Sequence, residues 1–249
     1  MNALKNGQTK IYKAIIFDVG DTLLKHYPDQ AQIYVGRMKA LGFTIDALTA
    51  DEIKSALERA SLEQIAKEEN GAPRMSDEDF KTMLDRAALR CVFAGQADSV
   101  YLEKLSRIPL PKQELKIISG VFETLTALKE MEFRLAVVSN HRTWLLDYLA
   151  QIGLAAFFET IIVSDMVGFE KPDIRIMQIA FDELSLAASE CLYVGDHPFD
   201  VLCAKNAGMD CAWIAAPGRV FPDSIPFKED FRLNELRDLL SVIKICANN

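Results

Sequence analysis

The first uninterrupted apolar run of the chain, Ala14-Ile15-Ile16-Phe17, sits inside the stretch Lys13–Leu24 and stops at Asp18, Gly20 and Asp21. A short apolar run closed by turn residues is the pattern of a strand buried on both faces of a parallel sheet. The pattern then becomes helical. Between Asp29 and about Leu110 no strand stands out. A helix is predicted over Gln30–Leu41, stopping at Gly42. A second starts near Asp51 with Ile53, Ala56, Leu57 and Ala60 on one side and ends at Asn70-Gly71. A third follows Ser76, a natural N-cap, with Phe80, Met83, Leu84, Ala87 and Cys91 forming an amphipathic stripe, and Gly95 closing it. A fourth covers Ser99–Leu105. At ~80 residues the segment is too long for a loop, so an all-helical insert is expected.

From Pro111 onward helices and strands alternate. Helix Val121–Met131 leads to strand Arg134–Val138, helix Trp144–Gln151 to strand Thr160–Val163, and helix Ile174–Leu184, with Asp173 as its expected N-cap, to strand Cys191–Val194. Helix Phe199–Asn206 precedes the last expected strand, Cys211–Ile214, and helix Glu235–Ile245 closes the chain. Such alternation gives right-handed crossovers and a parallel sheet covered on both faces. The expected fold is therefore α/β, a parallel-sheet core (1–25 and 111–249) with a helical insert (26–110).

Charge narrows the partners. A formal net charge of −8 on 249 residues, with no basic run, argues against a nucleic-acid backbone binder. No apolar run approaches the ~18 residues of a membrane span, and residues 1–10 lack the apolar core of a signal peptide. The five cysteines contain no CxxC pair, which fits a reducing compartment, so a soluble cytoplasmic protein is expected, monomer or homodimer.

The chemistry lies where the strands end. Asp18 follows the first strand, Ser139 the second and Asp196 the fourth, while Lys171 lies in the loop after the third. In a parallel sheet these ends share one edge, the edge where ligands bind. Their types suit phosphoryl transfer: a carboxylate to attack phosphorus, a hydroxyl and an ammonium to hold phosphate oxygens, and further carboxylates to hold Mg²⁺. Asp200, four residues beyond Asp196, can point back at the metal ligands or orient them.

The ordered set Phe17-Asp18-Val19-Gly20-Asp21-Thr22-Leu23, Ser139-Asn140, Lys171-Pro172-Asp173 and Gly195-Asp196-His197-Pro198-Phe199-Asp200 resembles the haloacid dehalogenase (HAD) superfamily of phosphohydrolases. The resemblance covers roughly residues 10–25 and 111–225, and the helical insert stands where that superfamily carries its helical cap. It implies a Rossmann-like core and an aspartyl-phosphate formed on Asp18. It also implies Mg²⁺ held by Asp18, the Gly20 carbonyl and Asp196, with Asp200 in support, and a small phosphorylated metabolite contacted by Ser139, Asn140 and Lys171.

One position departs from the pattern. Phosphatases of this type carry a second Asp two residues after the nucleophile as general acid and base; here that residue is Gly20, and Asp21 follows it. The departure keeps two alternatives open. One is an L-2-haloacid dehalogenase, which also lacks the second Asp and often has Ser-Asn in its second motif, though it does not keep the Asp at the position of Asp196. The other is a slow or non-catalytic phosphate-binding relative. His26, His141 and His197 are read as turn or surface histidines. Arg37, Arg59, Lys39, Lys54, Lys67 and Lys81 are read as solvated helix residues, and Trp144, Trp213 and Phe169 as packing.

Overall fold

The computed structural model describes residues 12–69, 73, 75–93, 99–215, 221 and 225–247. The chain divides into two compact units, one formed by residues up to Lys25 and from Lys116 onward, the other by His26–Leu115. In chain order the elements begin with β1 (Ala14–Phe17), β2 (Leu24–Tyr27), α1 (Gln30–Ala40), α2 (Ala47–Glu69), α3 (Asp77–Val92) and α4 (Ser99–Ser106). The chain continues with β3 (Glu114–Ile117), α5 (Val121–Glu130), β4 (Arg134–Ser139), α6 (Trp144–Gln151), β5 (Thr160–Val163), α7 (Ser164–Val167) and α8 (Arg175–Leu184). It ends with β6 (Cys191–Gly195), α9 (Pro198–Asn206), β7 (Asp210–Ile214), β8 (Phe231–Leu233) and α10 (Leu239–Ala247).

In the first unit six strands form a parallel sheet in the order β5-β4-β1-β6-β7-β8. From β1 the chain winds one way through β4 to β5, then returns to the other side of β1 as β6. The switch point therefore lies between β1 and β6, and the crevice beyond their carboxyl ends is where such sheets bind ligands. All four β1 side chains are buried, because successive residues feed opposite faces and both faces are covered. One face packs Ala14, Ile16, Val138, Tyr193 and Trp213 against Ile176 and Met177 of α8 and Val201 and Ala204 of α9.

The structure adds strands that the apolar pattern does not reveal. Ile214 does not end the sheet: β8 adds Phe231-Arg232-Leu233 at its edge. β2 and β3 pair as a two-stranded sheet where the chain leaves the first unit and re-enters it. The helix after Lys171 begins at Arg175, one residue later than expected, so Asp173 is not its N-cap. Its carboxylate still accepts from Arg175 N at 2.9 Å, which satisfies one of the open amides of the first turn.

The helical unit has its own core of Ile33, Tyr34, Met38, Ile53, Leu57, Leu84, Leu89 and Leu105. Ser76 caps α3 by accepting from Asp79 N, as its sequence position suggests. Gly95, the expected stop of this helix, lies outside the described residues. Arg37 is not a solvated residue. It is buried, paired with Asp85 at 2.6 Å and donating to Leu105 O at 2.6 Å, because α1 lays it against α3 inside this core. Lys81 reaches the same carboxylate at 2.9 Å, whereas Lys39, Lys54, Lys67 and Arg59 are exposed. Asp85→Ala strands the Arg37 guanidinium without its counter-charge, so it is expected to destabilise the protein by ~3–5 kcal/mol. Urea unfolding followed by circular dichroism measures this.

Candidate active site

The turn after β1 is wound on a single carbonyl: Val19 O accepts from the amides of Thr22, Leu23 and Leu24. Asp18 N donates to Val194 O at 2.9 Å, which ties the end of β1 to β6 and sets the carboxylate at the switch point. Asp21 takes a left-handed conformation, φ 47°, which Asp tolerates better than most residues, and is exposed. Thr22 is buried, and its hydroxyl finds no hydrogen-bond partner among the described residues.

Lys171 crosses to meet this turn. Its ammonium donates to Asp18 Oδ1 at 2.7 Å, to Asp200 Oδ1 at 2.6 Å and to the Tyr193 hydroxyl at 2.7 Å. Lysine has three N–H donors, so each one is directed at a protein acceptor. Lys171 is 5 % exposed and Asp200 1 %, so this cluster is largely shielded from water. Burial alone lowers the lysine pKa; Asp18 and Asp200 more than offset it and raise the pKa above the ordinary lysine value. For Asp18, burial pushes the carboxyl pKa up, Lys171 pulls it down and the charge of Asp200 adds to the rise. Burial, then Asp200 and Asp18, push the Tyr193 phenol well above its normal range, so it keeps its proton.

The backbone of Lys171 is also held. Asn140 donates from Nδ2 to Lys171 O at 2.8 Å and accepts from Lys171 N at 2.7 Å, so both ends of its amide face the lysine loop. Ser139 is buried at the end of β4. Asp200 Oδ2 accepts from His197 N at 2.9 Å and fixes the loop that carries Asp196. The Trp213 indole donates to Asp196 O at 2.6 Å. Tyr193 lies in an expected strand and Trp213 reads as packing, and neither polar role shows in the sequence pattern. The missed signal is that a buried phenol or indole needs a polar partner. Phe169 packs against the sheet core as expected, with the Arg175 guanidinium 3.9 Å from its ring centre. His197 caps α9 through Phe199 N, and His141 Nδ1 accepts from Arg142 N, both turn roles.

Ligand oxygens of Asp18, Asp196 and Asp200 lie within 4.8 Å of one another. Three carboxylates face one ammonium, and the excess negative charge together with an all-oxygen donor set suits a hard divalent cation such as Mg²⁺. Gly195 makes the cluster possible: a Cβ there would lie 2.2 Å from Asp200 Oδ2. Gly195→Ala is therefore expected to displace Asp200, cost about 2 kcal/mol of stability and reduce activity. Thermal melting and turnover of the purified variant read both effects.

A doubly wound parallel sheet with this lysine-bridged carboxylate cluster at its switch point defines a Rossmann-like α/β protein with a candidate active site. The chain belongs to the haloacid dehalogenase-like hydrolase family, whose model matches residues 15–214. It is 29% identical over 247 residues to a glyceraldehyde 3-phosphate phosphatase from Methanopyrus kandleri, covering 95% of this chain and 99% of that protein. It is 32% identical over 123 residues to the pyrophosphatase PpaX of Bacillus velezensis, a match that spans 49% of this chain and only 57% of that relative. Among solved structures, the magnesium-bound putative HAD-hydrolase YfnB from Bacillus subtilis aligns with a TM-score of 0.63 at 23% identity, covering 94% of this chain and 99% of that one. Among the described residues, no helix is long and apolar enough to cross a membrane.

Proposed function

We propose that the protein is a Mg²⁺-dependent phosphatase acting on a small phosphomonoester through a phosphoryl group carried on Asp18. The observation that carries this reading is the Lys171 ammonium bridging Asp18 and Asp200, 2.7 and 2.6 Å away, at the switch point of the sheet. The names of the phosphatase relatives support it.

In this reading a carboxylate oxygen of Asp18 attacks phosphorus, the bond from phosphorus to the ester oxygen breaks, and the leaving alkoxide takes a proton from water. Water then attacks phosphorus, releasing phosphate and restoring the carboxylate. Ser139 holds a phosphate oxygen. Lys171, whose N–H donors are directed at the protein, orients Asp18 and supplies positive charge nearby. Asp18, the Gly20 carbonyl and Asp196, supported by Asp200, would hold the Mg²⁺, which when bound neutralises phosphate charge. The helical unit is read as the cap that selects the substrate.

Gly20 and the Ser139-Asn140 pair favour a second reading, an L-2-haloacid dehalogenase. One comparison separates the two. Turnover of p-nitrophenyl phosphate that falls to background after EDTA treatment and returns with Mg²⁺ is the expected result. Chloride release from 2-chloropropionate without metal, and no phosphatase activity with it, gives the case to the dehalogenase. Activity on neither substrate favours a binding protein.

A further inference from the structure

Tyr193 stands in the middle of β6 with no exposed surface, where a phenylalanine would fill the same space. Its hydroxyl lies 2.7 Å from Lys171 Nζ and 2.8 Å from Val138 O. The direction of both bonds is forced. A carbonyl only accepts, so the single phenolic proton goes to Val138 O. An ammonium has no lone pair, so Lys171 donates to the phenolic oxygen. Asp200 Oδ1 is also near this hydroxyl, but at 3.4 Å it is the weaker acceptor.

The arrangement fixes the ammonium from three sides. Asp18 Oδ1 and Asp200 Oδ1 each take one N–H, and with those alone the lysine could slide along the line between two anions. The phenolic oxygen takes the remaining N–H and is itself anchored to the backbone of β4, the strand beside β1. We propose that Tyr193 is a positioning residue, the neutral third acceptor that sets where the Lys171 ammonium stands relative to the Asp18 carboxylate. The catalytic consequence rests on the phosphatase reading above; the hydrogen bond itself does not.

Losing the hydroxyl leaves one N–H of a buried cation unmade. The ammonium then turns more tightly onto the carboxylates, which ties up charge on the nucleophile. Because its N–H donors face the protein, the effect falls on the reacting geometry more than on substrate binding. Tyr193→Phe is expected to lower kcat for p-nitrophenyl phosphate roughly 10- to 100-fold, the scale of one hydrogen bond to a charged group, with KM changed less than about threefold. A residue that only filled the core would lower the melting temperature and leave kcat of the folded protein unchanged.

A second measurement needs neither substrate nor turnover. Urea unfolding of the full chain is compared for the parent, Tyr193→Phe, Lys171→Met and the double variant. The proposal expects strong coupling: Tyr193→Phe costs much less in the Lys171→Met background than in the parent, because the bond is already gone. Lys171→Met leaves Asp18 and Asp200 without their counter-charge and is destabilising by itself, a cost the cycle subtracts. Additive single effects, or parental kcat in Tyr193→Phe, overturns the proposal. A parent that hydrolyses no phosphomonoester sinks the phosphatase reading instead, and the unfolding cycle still decides whether Tyr193 holds Lys171.

Discussion

Asp18→Asn is expected to reduce turnover of p-nitrophenyl phosphate by at least ~10⁴-fold, the scale of removing a nucleophile, while the protein stays folded. The substitution keeps the shape of the side chain and its oxygen acceptor. What it removes is the charge and the attacking electron pair. Lys171 retains Asp200 at 2.6 Å and Tyr193 at 2.7 Å, so the buried ammonium is not left alone and the cluster survives. Steady-state kinetics together with a melting curve separates lost chemistry from lost structure. A variant with a near-normal melt and more than a few per cent of parental turnover contradicts the nucleophile assignment.

Gly20→Asp is expected to do the opposite and raise turnover by ~10²-fold, the lower range for a positioned general acid. The backbone permits it. A Cβ on Gly20 would stand 3.8 Å from Asp18 Oδ2, an ordinary contact that directs the new side chain beside the nucleophile. Asp21 occupies a different direction: its φ of 47° turns the chain through the left-handed region, and it is exposed. A carboxyl group at residue 20 is thus near the leaving oxygen in the proposed mechanism. Turnover that does not rise, combined with an inactive Asp21→Asn, assigns the proton transfer to Asp21 as the chain stands.

The parts of this site visible in the sequence are those fixed by local pattern. An apolar run that stops at a carboxylate marks a strand end, and a parallel sheet brings strand ends to one edge, so Asp18, Ser139 and Asp196 could be placed without coordinates. Lys171 was legible as a loop residue, but its full set of acceptors was not. That set needs Tyr193, whose hydroxyl is hidden inside an apolar strand, and Asp200 folded back from α9. The resemblance implies Asn140 as a phosphate contact; what it does not reveal is that Asn140 also holds the Lys171 backbone, 31 residues away.

Other omissions have similar causes. Leu24-Lys25-His26-Tyr27 has no apolar run, and as β2 it is a strand by pairing with β3, nearly a whole helical unit later. Phe231-Arg232-Leu233 is too short to show alternation and borrows its register from β7. Arg37 carries a helix-surface residue type, and only the three-dimensional meeting of α1 and α3 brings Asp85 to it. In each case the deciding contact is long-range, and side-chain type alone points the other way.

The central claim is that Asp18 carries the phosphoryl group. The direct measurement is mass spectrometry of acid-quenched protein after brief incubation with p-nitrophenyl phosphate and Mg²⁺. The account predicts one phosphoryl group on the peptide containing Asp18, absent from Asp18→Asn. Ongoing turnover with no phosphoryl group on that peptide, or with the group on another residue, would contradict it.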